Sequence, residues 1–252
     1  MASKLAIITG GSRGLGKSAA FKLAQQGVDI ILTYHSNEEA AQAVVAEIEA
    51  GGARAAALRL DTGDVGSLAA FARELQQLLA AKWQRHSFDF LVNNAGVGVH
   101  ASIADTTEAQ FDMLFNIHFK GVFFLTQQLL PLIADGGRIV NVSTGLTRFA
   151  LPGYAAYASM KGAVEVLTKY MAKELGARGI AVNVIAPGAI ETDFDGGAVR
   201  GNAQLNGFIA SQTALGRVGL PEDIGGAIAS VLGDNSGWIN GQRIEASGGM
   251  FL

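Results

Sequence analysis

Short apolar runs alternate along this chain with longer stretches in which apolar residues recur at helical spacing. Lys4–Thr9 (KLAIIT), Asp29–Tyr34 (DIILTY), Ala53–Leu60 and Phe88–Asn93 (FDFLVN) each predict a strand. Between them, Gly14–Gln26 places Leu15, Ala19, Ala20, Leu23 and Ala24 on one helical face. Asn37–Ala50 does the same with Ala40, Ala41, Val44 and Ile48 and stops at Gly51-Gly52. Val65–Lys82 predicts a third amphipathic helix. The second half keeps this rhythm. Glu108–Ile133 predicts a long helix, Arg138–Ser143 a strand, and Tyr154–Arg178 a helix closed by Gly179. Ile180–Ile185 follows as a strand, Pro221–Gly233 as a helix with proline near its start, and Gln242–Ala246 as a seventh strand.

Strands alternating with helices mean crossover connections and a mostly parallel sheet. Strands that are apolar throughout fit a sheet covered on both faces. With no linker or repeat, residues 1–252 predict one doubly wound α/β domain of about seven strands. Ile190–Arg217 breaks the rhythm. Rich in Gly, Asn and Thr, it follows a strand's carboxyl end, where ligands bind in such sheets, and is expected to form a mobile lid. Ala81–Ser87 (AKWQRHS) is longer than the connection needs, and the sequence assigns it no function.

Composition narrows the classes. Charged residues are 16% of the chain, against a usual quarter, and the net charge is −3. That balance argues against a nucleic-acid partner, and 49% hydrophobic residues argue against disorder. Having no cysteine excludes disulfides, thiolate catalysis and cysteine-held metal. No His/Asp/Glu cluster suggests a metal. The most apolar segment, Val122–Ala134, is interrupted by Thr126, Gln127, Gln128 and Pro131, so no membrane span is expected. A cytoplasmic protein is the expectation. There are 33 glycines but only 4 prolines, so the glycine has some use other than linkers.

Part of that use lies in Thr9–Gly16 (TGGSRGLG), between the first strand and the first helix. Gly10, Gly14 and Gly16 permit a tight turn, with Ser12, Arg13 and Leu15 between them. The helix start then presents free N–H groups to a phosphate, as in Rossmann-type dinucleotide sites. Gly10–Gly14 also fits G-x-S-x-G, a hydrolase nucleophile turn. That reading needs a late histidine, and the last of the four is His118. An NAD site usually carries an acid at the end of the second strand. Here the strand runs into His35, Ser36 and Asn37, with Arg13 in the loop. Arg13, His35 and Ser36 suit a 2′-phosphate, so NADP is favoured over NAD.

Tyr157 and Lys161 are four apart on one predicted helix and share a face. Ser143 ends a strand fourteen residues earlier. Hydride transfer to a ketone leaves an alkoxide in need of a proton. A tyrosine of pKa ~10 serves near neutrality only if a neighbouring cation lowers that value. His100 and His118 lie near the expected site.

The motifs Thr9–Gly16, Asn93–Gly96 (NNAG), Asn116, Ser143, Tyr157–Lys161 (YASMK) and Pro187-Gly188 together resemble classical short-chain dehydrogenases/reductases, end to end. The resemblance implies an oxidoreductase moving a hydride between nicotinamide and a carbonyl or secondary alcohol. It makes Tyr157 the acid/base and Ser143 the group that orients the carbonyl. Lys161 binds the nicotinamide ribose, and Asn116 completes a water-mediated relay. Asp61, with Thr62, meets the adenine. Asn93, Ala95 and Gly96 line the adenosine ribose, and Pro187, Gly188, Ile190 and Thr192 cover the nicotinamide end. It also implies a homotetramer, consistent with the apolar excess of 108–133. A dinucleotide-binding sensor or scaffold without turnover is the alternative. Gly10–Gly16 and Val218–Ile224 resemble the 3-oxoacyl-carrier-protein reductase branch. Against that activity, Thr126–Asp135 lacks basic residues to steer an acidic carrier.

Overall fold

In the computed structural model, which describes residues Ser3–Leu252, the apolar runs form seven parallel strands. They are β1 (Leu5–Ile8), β2 (Asp29–Tyr34), β3 (Ala55–Arg59), β4 (Phe88–Asn93), β5 (Ile133–Val142), β6 (Ala181–Pro187) and β7 (Arg243–Ala246). Their order in the sheet is β3-β2-β1-β4-β5-β6-β7. The chain therefore winds outward from β1 in one direction, then returns to β4 and winds in the other. The connections leaving β1 and β4 part company there, which opens a crevice at the carboxyl ends of the strands.

The helices are α1 (Gly14–Ala24), α2 (Glu38–Ala50), α3 (Leu68–Leu78), α4 (Glu108–Phe115), α5 (Gly121–Leu129), α6 (Ala155–Leu175), α7 (Ala198–Gly201), α8 (Ala203–Ser211) and α9 (Pro221–Leu232). Strand residues alternate faces, so each strand feeds two cores. Ala6 and Ile8 pack with Val44 and Ile48 of α2 and Ile228 of α9, while Leu5 and Ile7 share the other side with Phe71, Leu75 and Leu125. Covering on both faces explains strands that are apolar at every position. No helix among the described residues is long and apolar enough to cross a membrane.

Three expectations need correction. The helix expected over 108–133 is interrupted by a wide turn at Asn116–Lys120 and ends before Pro131. Proline lacks the N–H that a helix interior needs. Ile133 instead begins β5 opposite Phe88, five residues before the expected start. Segment 190–217, expected to form a mobile lid, is largely helical, built of α7 and α8. It leaves and returns through a bridge between Ile190 and Gly219, and three successive left-handed residues, Asp195, Gly196 and Gly197, turn it.

The segment Ala81–Ser87 has a structural use. Trp83 is buried, and its Nε1 donates to Asp29 Oδ2 at 2.9 Å. Arg54 donates to the same carboxylate and stacks on the Trp83 ring. Asp29 opens β2, so this cluster closes the sheet at the edge away from the crevice.

Candidate active site

The glycine turn forms because only glycine fits it. Gly10 and Gly14 have φ of +65° and +53°, which side chains rarely adopt. A methyl on Gly16 would collide with the Gly10 carbonyl and the Asn94 amide, so Gly16 supports the turn from beneath rather than lining the cleft. Arg13 caps α1 with no side-chain hydrogen bond, and the first turn carries no acid. The leading N–H groups of α1 therefore stay available to an anion.

The end of β4 clamps this turn. Asn94 Nδ2 donates to Thr9 O at 2.9 Å, and Thr9 Oγ1 accepts from the Asn94 and Ala95 N–H groups. Asn93, expected at the adenosine ribose, points the other way. Its Nδ2 donates to Asn141 Oδ1 at 2.8 Å and to Thr126, inside the core. Adjacent strand residues face opposite sides, so the cleft receives Asn94 and not Asn93.

A cleft of about 1210 Å³ runs along the carboxyl edge of the sheet. At one end it brings together Ser12, Arg13, Leu15, His35, Ser36, Asp61 and Thr62. His35 Nε2 lies 3.5 Å from Asp61 Oδ2, and Asp61 Oδ1 also accepts from the Gly63 N–H. Arg13 is exposed and pairs with no carboxylate among the described residues. Ala95 and Gly96 line the middle, and Pro187, Gly188, Ile190 and Thr192 line the far side.

Tyr157 and Lys161 both face the cleft from α6 and are buried. Lys161 Nζ donates to Val142 O at 2.7 Å and lies 5.8 Å from the Tyr157 ring centre. Burial pulls the lysine down to about 8 and pushes the tyrosine phenol up. The expected lowering of the tyrosine by lysine is thus not what this arrangement gives. Desolvation wins, and a hydrogen bond with Thr144 opposes it.

Ser143 lines the cleft, but its Oγ donates to Glu165 Oε1 at 2.7 Å. Glu165 is held in turn by Thr147 and Arg243. The hydroxyl beside Tyr157 belongs to Thr144, one residue on. Asn116 also departs from its expected place. It sits in the wide turn and is not part of the cleft wall. His118 is, fully buried, with its ring edge-on to Tyr157 at 5.1 Å.

Beyond these groups the cleft is mostly apolar. Phe194 packs 5.7 Å from the Tyr157 ring, and Phe149 meets Phe251 at 4.8 Å. Phe208, Leu205 and Met113 add to the wall. One polar spot stands among them. The Tyr154 hydroxyl donates to Asp195 Oδ2 at 2.9 Å, with His100 edge-on to the Tyr154 ring. Burial and that carboxylate raise Tyr154 to about 12. No group of three His, Cys, Asp or Glu able to hold a metal occurs among the described residues.

A nucleotide turn, a buried Tyr/Lys pair and one shared cleft define a dinucleotide-dependent oxidoreductase site. Comparison with known proteins agrees. A family model described as enoyl-(acyl carrier protein) reductase matches residues 10–251, and the chain belongs to the short-chain dehydrogenase/reductase family. A hydroxynaphthalene reductase-like protein, Arp2 of Metarhizium brunneum, is 36% identical over 99% of this chain and 95% of its own. Among solved structures, the promiscuous reductase LugOII, which catalyses keto-reduction at C1 during lugdunomycin biosynthesis, is 39% identical. It superposes with a TM-score of 0.94 over 100% of this chain and 99% of its own. The angucycline C-6 ketoreductase LanV with bound NADP is 34% identical, with a TM-score of 0.93 over 98% of this chain and 95% of its own.

Proposed function

We propose that this protein is an NADPH-dependent ketoreductase of flat, polycyclic aromatic ketones. The observation that carries the reading is the aromatic-lined cavity of Phe149, Phe194, Phe208 and Phe251 beside Tyr157 and Thr144. Such walls suit a planar ring system, since aromatic pairs add energy beyond the area they bury. The names of Arp2, LugOII and LanV point to substrates of the same kind.

NADPH, when bound, supplies the hydride. The turn at Gly10–Gly14 and the start of α1 hold its phosphates. Arg13, His35 and Ser36 hold its 2′-phosphate. Lys161, Pro187, Gly188, Ile190 and Thr192 hold the nicotinamide end. Tyr157 keeps its proton until the substrate oxygen gains charge, then transfers that proton to it. The raised phenol fits this direction, because the acid is fully protonated at neutral pH. Thr144 holds the same substrate oxygen. Segment 190–217 closes over the site as a lid, with Phe194 on Tyr157.

The test is NADPH oxidation with a hydroxylated naphthalenone and with an acetoacetyl thioester. The aromatic ketone should show a kcat/KM at least roughly tenfold higher, equivalent to about 1.4 kcal/mol. Preference for the thioester would overturn the reading. For the cofactor, Ser36→Asp places a carboxylate where the 2′-phosphate binds. NADPH affinity should fall about tenfold or more, with NADH spared, as like charges in contact cost several kcal/mol. Fluorescence titration with both cofactors checks this, and unchanged NADPH affinity would count against the assignment.

We also propose that further copies of the chain cover one face. Leu114, Val122 and Leu125 are used within the chain, but Phe111, Phe123, Val166 and Tyr170 of α4, α5 and α6 stay exposed. Light scattering should give a tetramer mass, and a monomer would refute the reading.

A further inference from the structure

Among the described residues, three carboxylates line the cleft: Asp61, Asp193 and Asp195. Asp61 faces His35, and Asp193 pairs with Arg200. Asp195 pairs with no cation among the described residues. Its carboxylate takes one hydrogen bond, from the Tyr154 hydroxyl to Oδ2, which leaves Oδ1 free. Asp195 is half-buried, and Phe194, Val199 and Leu205 line the same wall. Taking a carboxylate out of bulk water costs free energy, and apolar neighbours offset none of it. A donor is what this group lacks.

The fold holds the carboxylate in place from several sides. Asp195 sits at φ +51° and ψ +45°, a left-handed conformation that few side chains other than Asn and Asp adopt. Residues held in this way cluster at ligand sites. A methyl on Gly98 would come within 3.0 Å of both Asp195 and Phe194, so the loop after β4 closes on the pair. Tyr154 is seated in turn. Its ring meets His100 edge-on at 5.0 Å, and the Ala101 N–H donates to Gly153 O at 2.9 Å. Burial and Asp195 raise the Tyr154 phenol to about 12, so it keeps its proton and leaves Asp195 charged. Tyr154 precedes Tyr157 by three residues, and the two share a face. Phe194, next to Asp195, packs on the Tyr157 ring. By either route the carboxylate is one side chain removed from the proposed acid.

We propose that Asp195 is a specificity-determining residue, whose carboxylate accepts a hydrogen bond from a phenolic hydroxyl of the substrate, remote from the ketone being reduced. Hydrogen bonds from a hydroxyl to a carboxylate are short and strong. The same charge disfavours carboxylated ketones and gives nothing to a ring without a donor. The substrate class thereby narrows from polycyclic aromatic ketones to neutral ones bearing a free hydroxyl. The proposal rests on the ketoreductase reading for the reaction. Tyr154 supports the carboxylate and is not itself the recognising group.

The test compares hydroxylated 1-tetralones with their methyl ethers, which keep the ring system and lose the donor. For the best-reduced isomer, wild-type kcat/KM should be about tenfold or more higher for the free hydroxyl. Asp195→Asn keeps the size, suits the left-handed backbone and removes the charge. It should bring that ratio within about threefold, through a loss on the hydroxylated ketone. Tyr154→Phe keeps the carboxylate, and the ratio should persist. A wild-type ratio near one, or a ratio that Asp195→Asn leaves standing, would overturn the proposal. An equal fall on both substrates in Asp195→Asn would do the same, since a residue that only seats segment 190–217 behaves that way. Loss of the ratio in Tyr154→Phe alone would move recognition to the Tyr154 hydroxyl and also overturn it. A measurement without turnover stands beside these. In calorimetric titration of the NADP⁺ complex, 2-naphthol should bind about tenfold tighter than 2-methoxynaphthalene to wild type and about equally to Asp195→Asn. No preference for the naphthol in wild type would overturn the proposal. If no ketone is reduced, the ketoreductase reading fails, and this titration still decides the role of Asp195.

Discussion

Tyr157→Phe should lower kcat for ketone reduction by about 10²–10⁴-fold, the usual worth of a positioned general acid. The substitution removes one oxygen and little else. The ring contacts with His118 at 5.1 Å and Phe194 at 5.7 Å do not involve the hydroxyl and should persist. NADPH affinity should change by less than about twofold, because the turn proposed to hold the phosphates lies at the other end of the cleft. Stopped-flow NADPH oxidation with a parallel fluorescence titration separates the two effects. A variant that keeps wild-type kcat would remove Tyr157 from the chemistry. The pH dependence has a definite sign. Burial raises the phenol, so its proton is present through neutrality and reduction should be level there. Alcohol oxidation needs the phenolate, so it should climb with pH across the same range. Lys161, pulled down to about 8, loses its charge as the solution passes that value, and reduction should then decline.

Different parts of this site are legible in the sequence to different degrees. The glycine turn is legible because it is local. Its glycines are demanded by positive φ and by close backbone approach, and neither depends on distant residues. Tyr157 and Lys161 are legible because helical spacing alone puts them on one face. The sheet itself follows from the alternation of strands and helices. The failures share one cause. Asn93 and Asn94 are neighbours at a strand end, and neighbours point to opposite sides. Which side is the cleft depends on the sheet's neighbours, and a strand buried on both faces gives no hydrophobic alternation to read. Asn116 and His118 are two apart and face opposite ways for the equivalent helical reason. The wide turn at Asn116–Lys120 leaves no mark in the apolar pattern. The use of Trp83 is not legible because its partner, Asp29, lies 54 residues earlier.

The choice between neighbouring hydroxyls is open to direct test. Thr144→Val keeps the β-branched shape in extended backbone, with φ −158°, and removes only the hydroxyl. If that hydroxyl holds the substrate oxygen, its loss resembles removal of an oxyanion donor, about 10²–10³-fold in kcat, or roughly 2.7–4 kcal/mol. The local cost is small, as Thr144 Oγ1 otherwise accepts only a long bond from the Leu146 N–H at 3.3 Å. Ser143→Ala makes the contrasting case. It removes the donor to Glu165 Oε1, but Thr147 at 2.7 Å and Arg243 at 2.8 Å still hold that carboxylate. A single net hydrogen bond is worth about 1 kcal/mol, so Tm should fall slightly, with kcat within about twofold of wild type. Steady-state kinetics and thermal melts on the two variants decide the matter. If Ser143→Ala loses activity and Thr144→Val does not, the serine turns toward the substrate during turnover, and the Ser143–Glu165 bond must break for it to do so. The Glu165–Arg243 ion pair would then be left to keep the strand end in place, and Glu165→Gln would be expected to raise activity by releasing the serine.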